Sequence, residues 1–293
     1  MADSTADVIA AAMPELRSWI GRKEIVEDDI PLTTARRAAA MLDVAPEVIG
    51  PGSELPRSWF SLFFASNALQ RDIGPDGHPN KGLFLPPIPL PRRMAAGRRV
   101  RIMGALKVGQ AATRTAEVVA VEPKGARTSH LIVLTMRHTY AVAGQPIAIE
   151  EFDAVYREAL PPGQKNAALP PVAPPADPAW SSRVSLASSL VFRYSALTWN
   201  AHRIHYDADY TRDEEGYPAL VQNGGLSMQL MLQAVSARLP GALTGFEARL
   251  LRPLWVGDDI TIAGDTPVDG RAACWVIDKS SALAVRMDLT YGA

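Results

Sequence analysis

Hydrophobic and polar positions alternate most regularly between His130 and Val142. Met136, His138, Tyr140 and Val142 fall on one face there, and Thr135, Arg137 and Thr139 on the other. A period of two marks a strand with one buried face. Apolar runs at Ala116–Val121, Pro146–Ile149, Ile260–Ala263, Ala272–Ile277 and Ala282–Tyr291 predict further strands. Helices are fewer. Residues 8–20 and 33–43 read as helical, the second with Thr33 or Thr34 as its N-cap. The most informative is 224–239, where Leu226, Leu230, Ala234 and Arg238 recur at i, i+4 with Met231, Val235 and Leu239 beside them. Apolar residues cover more than one stripe of it, so other structure must wrap this helix. Asn223 is its natural N-cap.

The chain is punctuated at 161–178, PPGQKNAALPPVAPPADP, where seven of 18 positions are proline. Such a segment cannot hold a helix or a central strand. It divides the 293 residues into an N-terminal unit, 1–160, and a C-terminal unit, 179–293. Both show the same local order. Phe246–Ile262 reads as strand, Gly-Asp turn, strand, and Arg99–Thr113 reads alike. Leu106-Lys-Val-Gly-Gln110 stands against Leu254-Trp-Val-Gly-Asp258, and further strands follow each. A repeat of this kind indicates a duplicated unit. One long buried helix per half, embraced by an antiparallel sheet, gives an α+β fold.

Composition changes this picture little. Hydrophobic residues make up 47 % and charged residues 21 %, with a formal net charge of -1. No basic field draws nucleic acid or an anionic membrane. The run Arg92, Arg93, Arg98, Arg99 and Arg101 reads as a solvated strand end, or as a clamp for a phosphate-bearing ligand. The single cysteine, Cys274, reads as a small buried hydrophobe. The early acids of the N-terminus are unlike a signal peptide, and no apolar run is long enough for a membrane span, so a cytoplasmic location is expected.

Chemistry is densest from Phe192 to Asp207, FRYSALTWNAHRIHYD. It holds His202 and His205, with Tyr194, Ser195, Thr198, Asn200, Tyr206 and Asp207, and Val221-Gln-Asn-Gly-Gly225 then opens the long helix. Three readings compete. In the first, a histidine moves protons, Asn200 holds a water, and the N–H groups of Gly224 and Gly225 receive a developing oxyanion. In the second, His202, His205 and Asp207 bind a metal, although their spacing matches no zinc motif. In the third, these are polar residues satisfied in a turn. Ser195 lacks the G-x-S-x-G elbow of a serine hydrolase, and no phosphate-binding glycine loop appears. His78, in Gly74-Pro-Asp-Gly-His-Pro-Asn-Lys-Gly82, reads as loop surface, and His130 and His138 as structural residues of a strand.

The segment Ser195–Asp207 followed by Glu215-Gly-Tyr-Pro-Ala-Leu-Val221 resembles the MaoC-like dehydratases. It is nearest the branch that holds mesaconyl-C4-CoA hydratase and the mitochondrial-type hydroxyacyl-thioester dehydratases. Phe84–Met94 and Glu150–Glu158 resemble that branch's N-terminal, FAS1-like dehydratase domain. The resemblance implies a double hot-dog, two antiparallel sheets each wrapped round a central helix, the pair acting as the dimer that shorter relatives form from two chains. It implies a catalytic set of Asn200, His205 and Gly224. His205 is the family histidine, Asn200 stands where the broader family has an acid, and the Gly224 N–H holds the thioester oxygen. Asn223 replaces the usual histidine, Gly225 a common proline, and His202 an asparagine.

The implied reaction is reversible hydration of an enoyl thioester, a CoA ester such as mesaconyl-C4-CoA or itaconyl-CoA, or a carrier-protein thioester. It requires no metal and no cofactor beyond the coenzyme A of the substrate. Nucleic acid and membrane are not expected partners, and a homodimer is among the assemblies allowed. Substrate contacts are expected from Tyr194, His202, Tyr206, Asn223 and Gly225. Arg193, Arg249 and Arg252 are candidates for a carboxylate or for CoA phosphates. Leu83–Pro91, Trp59, Phe60, Phe63 and Phe64 are expected to wall the acyl pocket, or else to be plain core. The rivals are an acyl-CoA thioesterase using Asp207 or Asp209, and a non-catalytic acyl-CoA-binding hot-dog.

Overall fold

A computed structural model describes residues 4–126, 129–161, 163–167 and 169–292. The first three residues, and Pro162 and Ala168 of the proline-rich segment, lie outside the described residues. In chain order the elements are α1 (Thr5–Ser18), β1 (Lys23–Asp28), α2 (Leu32–Met41), β2 (Arg92–Ile102), β3 (Ala112–Ala126), β4 (Ser129–Val142) and β5 (Gln145–Arg157). The second half follows with β6 (Trp180–Ser185), α3 (Ser188–Leu197), α4 (Ala208–Asp213), α5 (Gly224–Ser236), β7 (Ala242–Leu250), β8 (Asp259–Gly264), β9 (Arg271–Ile277) and β10 (Leu283–Gly292).

All ten strands form one antiparallel sheet in the order β1-β3-β4-β5-β2-β7-β10-β9-β8-β6. Read inward from each edge, both halves have the same connectivity. They meet where β2 pairs with β7, Val100 opposite Phe246. The repeat visible in the sequence falls at equivalent corners. Gly109 N–H donates to the Ile30 carbonyl at 3.0 Å, and Gly257 N–H to the Leu186 carbonyl at 2.8 Å. Lys107 and Trp255 each make an isolated bridge, to Glu54 and Val221.

The halves differ in what stands before their second strand. In the C-terminal half it is α5, whose Leu226, Met231, Leu232 and Val235 are buried in the main core. In the N-terminal half the same place is taken by an extended stretch containing Pro86, Pro87, Pro89 and Pro91, which cannot be helical. The floor of that half, on β4 and β5, is therefore partly open. Helix α1, with a Ser4–Asp7 capping box, covers its far end through Ile9, Met13 and Leu16.

Two caps differ from expectation. Helix α2 starts after Pro31 with no side-chain cap, so Thr33 and Thr34 lie inside its first turn. Asn223 stands at the N-cap of α5, but its amide faces the Ser195 hydroxyl at 3.3 Å rather than the helix. Cys274 is buried as expected, and burial pushes its thiol up to about 12. The described residues of the proline-rich segment are mostly exposed, and Leu283 N–H donates to the Val172 carbonyl at 2.8 Å. No helix among the described residues is long and apolar enough to cross a membrane.

Candidate active site

A cavity of about 860 Å³ runs across both halves. Helix α3 and the turn behind it supply one wall. Asn200 N–H reaches back to the Ser195 carbonyl at 2.8 Å, closing a helix end in which Trp199 sits at φ 53°. A bulky side chain in this left-handed region costs about 1–2 kcal/mol. The turn it closes sets Asn200 on the cavity wall, where its Oδ1 accepts the His202 N–H at 3.0 Å.

A 3₁₀ turn, Arg203–His205, follows. His205 Nδ1 lies 2.7 Å from the Val221 carbonyl. A carbonyl only accepts, so Nδ1 carries the proton and Nε2 keeps its lone pair. Burial in the wall, partly opposed by that hydrogen bond, brings the His205 pKa down to about 4. Its imidazole is therefore neutral at pH 7. Helix α5 begins beside it, and the amides of Gly224 and Gly225 have no acceptor among the described residues, as expected for the first turn of a helix. A Cβ on Gly225 would fall inside the Tyr194 hydroxyl. Glycine in place of the usual proline thus lets Tyr194 lie over the helix start. Tyr194 is buried on the wall, and burial raises its hydroxyl to about 12.

The N-terminal half contributes more than a wall. Its Gly74–Asn80 turn is docked on the His202–His205 segment. Arg203 N–H donates to the Asp76 carbonyl at 2.9 Å, and the Arg203 guanidinium to Pro75 at 3.0 Å. His78 is thereby brought into the cavity, its ring 4.2 Å from that of His202 and its Nδ1 3.1 Å from Asp76. His202 is 5.4 Å from His205, ring to ring. Burial, then the charges of His78, His205 and Arg93, hold His202 down at about 2. His78 is thus a site residue and not loop surface. The sequence signal was its place beside Gly77, which the close approach requires.

The floor is the open sheet face, arranged in cross-strand rows: Arg93 with Tyr156, Arg98 with Phe152, and Glu150 with His138. Glu150 is buried and receives Arg98 at 2.6 Å, the Tyr140 hydroxyl at 3.0 Å and His138 Nδ1 at 3.3 Å. Burial alone would raise its pKa, but Arg98 and these hydrogen bonds override it and hold the carboxyl at about 2. His138 belongs to this floor cluster. Phe63, Phe64 and Leu85 also line the cavity, whereas Trp59 and Phe60 are core.

Several other expected contacts fall elsewhere. Asp207 binds Arg203 and caps α4, so the set His202, His205, Asp207 is not assembled as a metal site. Asp76, His78 and His202 instead bring one ligand atom each within 4.8 Å of one another. Arg193 and Arg249 do not line the cavity, and exposed Arg249 pairs with Glu247 at 3.1 Å. Arg252 does line it, paired with Asp278 at 3.3 Å. In the basic run, Arg92 is buried against Glu215 at 2.9 Å, and Arg99 pairs with Asp153 at 2.7 Å. A second, apolar recess of about 510 Å³ opens on the other side of Asn200 and His205, lined by exposed Phe192, Trp199 and Tyr206.

Ten strands in two hot-dog units define a class: the fold is that of the MaoC-like dehydratases. One solved MaoC-like dehydratase superposes with a TM-score of 0.69 at 16 % identity, covering 94 % of this chain and 100 % of the other. HtdX of Mycobacterium tuberculosis gives 0.65 at 14 %, covering 92 % and 100 %. The profile of the family described as hydroxyacyl-thioester dehydratase type 2 matches residues 59–256, and the chain belongs to that family of hydro-lyases. The chain is 41 % identical to mesaconyl-C(4)-CoA hydratase of Chloroflexus aurantiacus over 239 residues, 81 % of this chain and 84 % of the relative. It is 42 % identical over 76 residues, a quarter of each chain, to the mitochondrial hydroxyacyl-thioester dehydratase type 2 of Schizosaccharomyces pombe.

Proposed function

We propose that the protein hydrates an α,β-enoyl CoA thioester, and dehydrates the corresponding 3-hydroxyacyl thioester, with mesaconyl-C4-CoA or a related dicarboxylic monothioester as substrate. The observation that carries this reading is the His205 hydrogen bond to Val221. It leaves a neutral imidazole with a free Nε2 beside the unpaired amides of Gly224 and Gly225.

The thioester oxygen takes the Gly224 N–H, where the helix dipole favours negative charge. A water held by the Asn200 amide gives its proton to His205 Nε2, and its oxygen bonds to the β-carbon. The enolate that forms collects its charge on the thioester oxygen. The α-carbon then takes the proton from the imidazolium, and the base is restored. Only protein groups and water act in this scheme. Tyr194 and Gln222 border the reacting groups. The apolar recess with Phe192, Trp199 and Tyr206 suits the pantetheine arm, and the cavity over β4 and β5 suits the acyl group.

Thioester hydrolysis has less support, because the carboxylates it would use are engaged: Asp207 with Arg203 and Asp209 with Arg212. The test follows enoyl absorbance and free thiol with crotonyl-CoA and mesaconyl-C4-CoA, using wild type and His205→Ala. Loss of enoyl without thiol release, reduced on the order of 10²–10⁴-fold in the variant, is expected. Thiol release would make the protein a thioesterase, and silence with both substrates would leave a binding module.

A further inference from the structure

Four arginines line the cavity: Arg93, Arg98, Arg114 and Arg252. Three are engaged. Arg98 pairs with Glu150 at 2.6 Å, Arg252 with Asp278 at 3.3 Å, and Arg114 donates to the Phe64 carbonyl at 2.9 Å. Arg93 has no ion-pair partner among the described residues. It is half-buried on β2, opposite Tyr156, whose buried hydroxyl has no hydrogen-bond partner. Lys81, at the same end, is committed to the Ile88 and Leu90 carbonyls at 2.6 and 2.9 Å. Asp76 does not neutralise Arg93 by contact, because its two oxygens face the backbone N–H and the Nδ1 of His78 at 3.0 and 3.1 Å.

This cation lines the same cavity as His78, His202 and His205. Its charge bears on both His78 and His202, and the His202 ring is 5.4 Å from that of His205. Asp76, His78 and His202 have the spacing of a metal site, but a neighbouring guanidinium repels a cation and attracts an anion. Guanidinium also matches a carboxylate in a two-pronged fork.

We propose that Arg93 anchors a free carboxylate carried on the β-carbon of the acyl group, and thereby selects dicarboxylic monothioesters over plain enoyl chains. The inference rests on the hydration reading above. In that scheme the β-carbon lies beside His205. A carboxylate bonded to it is one bond further on, within the span that separates His205 from the His78–His202 recess.

The test is the ratio of kcat/KM for mesaconyl-C4-CoA to that for crotonyl-CoA, which lacks the carboxylate, in wild type, Arg93→Gln and Arg93→Lys. The ratio is expected to fall on the order of 10²-fold in Arg93→Gln. It is expected to recover in part in Arg93→Lys, which keeps the charge and loses the fork. Thermal unfolding of both variants separates this effect from misfolding. A ratio unchanged in both variants overturns the inference and leaves hydration standing. Wild-type protein that hydrates crotonyl-CoA but not mesaconyl-C4-CoA does the same. Wild-type protein inert on both substrates removes the hydration reading, and the inference with it.

Discussion

Replacing Gly77 by alanine tests whether the loop from the N-terminal half is a working part of the site. Gly77 has φ 89°, and a Cβ there would fall inside the Ala201 carbonyl, with the Arg203 amide nitrogen 3.3 Å away. Both obstacles are backbone, so no rotamer change relieves them. The left-handed conformation costs alanine about 1–2 kcal/mol. Relieving the overlap lifts the loop and breaks the Arg203 hydrogen bonds to Asp76 at 2.9 Å and Pro75 at 3.0 Å. At about 0.5–1.5 kcal/mol each, these add about 1–3 kcal/mol. The expected loss of about 2–5 kcal/mol is within the 5–15 kcal/mol that folded domains usually hold, so the variant folds with its loop detached. Guanidinium denaturation should show the lower midpoint. Because the Arg203–His205 turn then loses its brace, kcat/KM for enoyl-thioester hydration should fall about tenfold or more, the scale of roughly 1.4 kcal/mol of lost positioning. His205 keeps its own bond to Val221. A variant with the wild-type midpoint and wild-type kcat/KM would refute the docked geometry. A lowered midpoint with full activity would make the loop a purely structural brace.

Three further outcomes follow from the same geometry. His205→Ala should lose hydration on the order of 10²–10⁴-fold with little change in the unfolding midpoint, since its side chain lines a cavity. The base is active when deprotonated, and burial has brought His205 to about 4. The acid limb of kcat/KM should therefore lie well below 6.5, with activity kept at pH 6 and lost as pH falls through about 4; a limb at or above 6.5 would contradict the buried neutral imidazole. Glu150→Ala should destabilise the fold by about 1–3 kcal/mol, because it leaves the half-buried Arg98 on the cavity floor without its carboxylate. Urea titration of that variant gives the number, and a change under 1 kcal/mol would mean that water replaces Glu150.

The sequence carried those parts of the fold that local chemistry dictates. Alternation in β4, the Gly-Gln and Gly-Asp corners and the prolines at 161–178 each follow from backbone rules that act over a few residues. The candidate core of the site was legible for the same reason, since Asn200, His205 and Gly224 lie within one stretch of 25 residues. The rest depended on long-range packing. His78 reaches His202 across 124 positions of sequence, and only the docked Gly77 turn brings them together. Glu150, His138 and Arg98 meet through strand register, which alternation alone does not align. Arg193 and Arg249 looked like ligand contacts because arginine near a site suits an anion, but nothing in a sequence tells which way such a side chain turns. The Thr33 and Thr34 cap failed because α2 starts earlier, with Pro31 at its N-cap in extended backbone, so both threonines fall inside its first turn.

The extended proline stretch before β2, set against helix α5 before β7, has a consequence for how such a protein changes over generations. Two identical copies related by a twofold axis must share every feature, so a substitution that removes a helix from one removes it from both. With both units written into one chain, each codon acts once. One unit keeps its helix, and with it a firm seat for Asn223 and Gly224, while the other is free to lose its counterpart and become a receptacle. If the half that keeps its helix moves the protons and the other half receives the acyl group, as proposed above, selection is able to retune the receptacle without touching the residues that move protons.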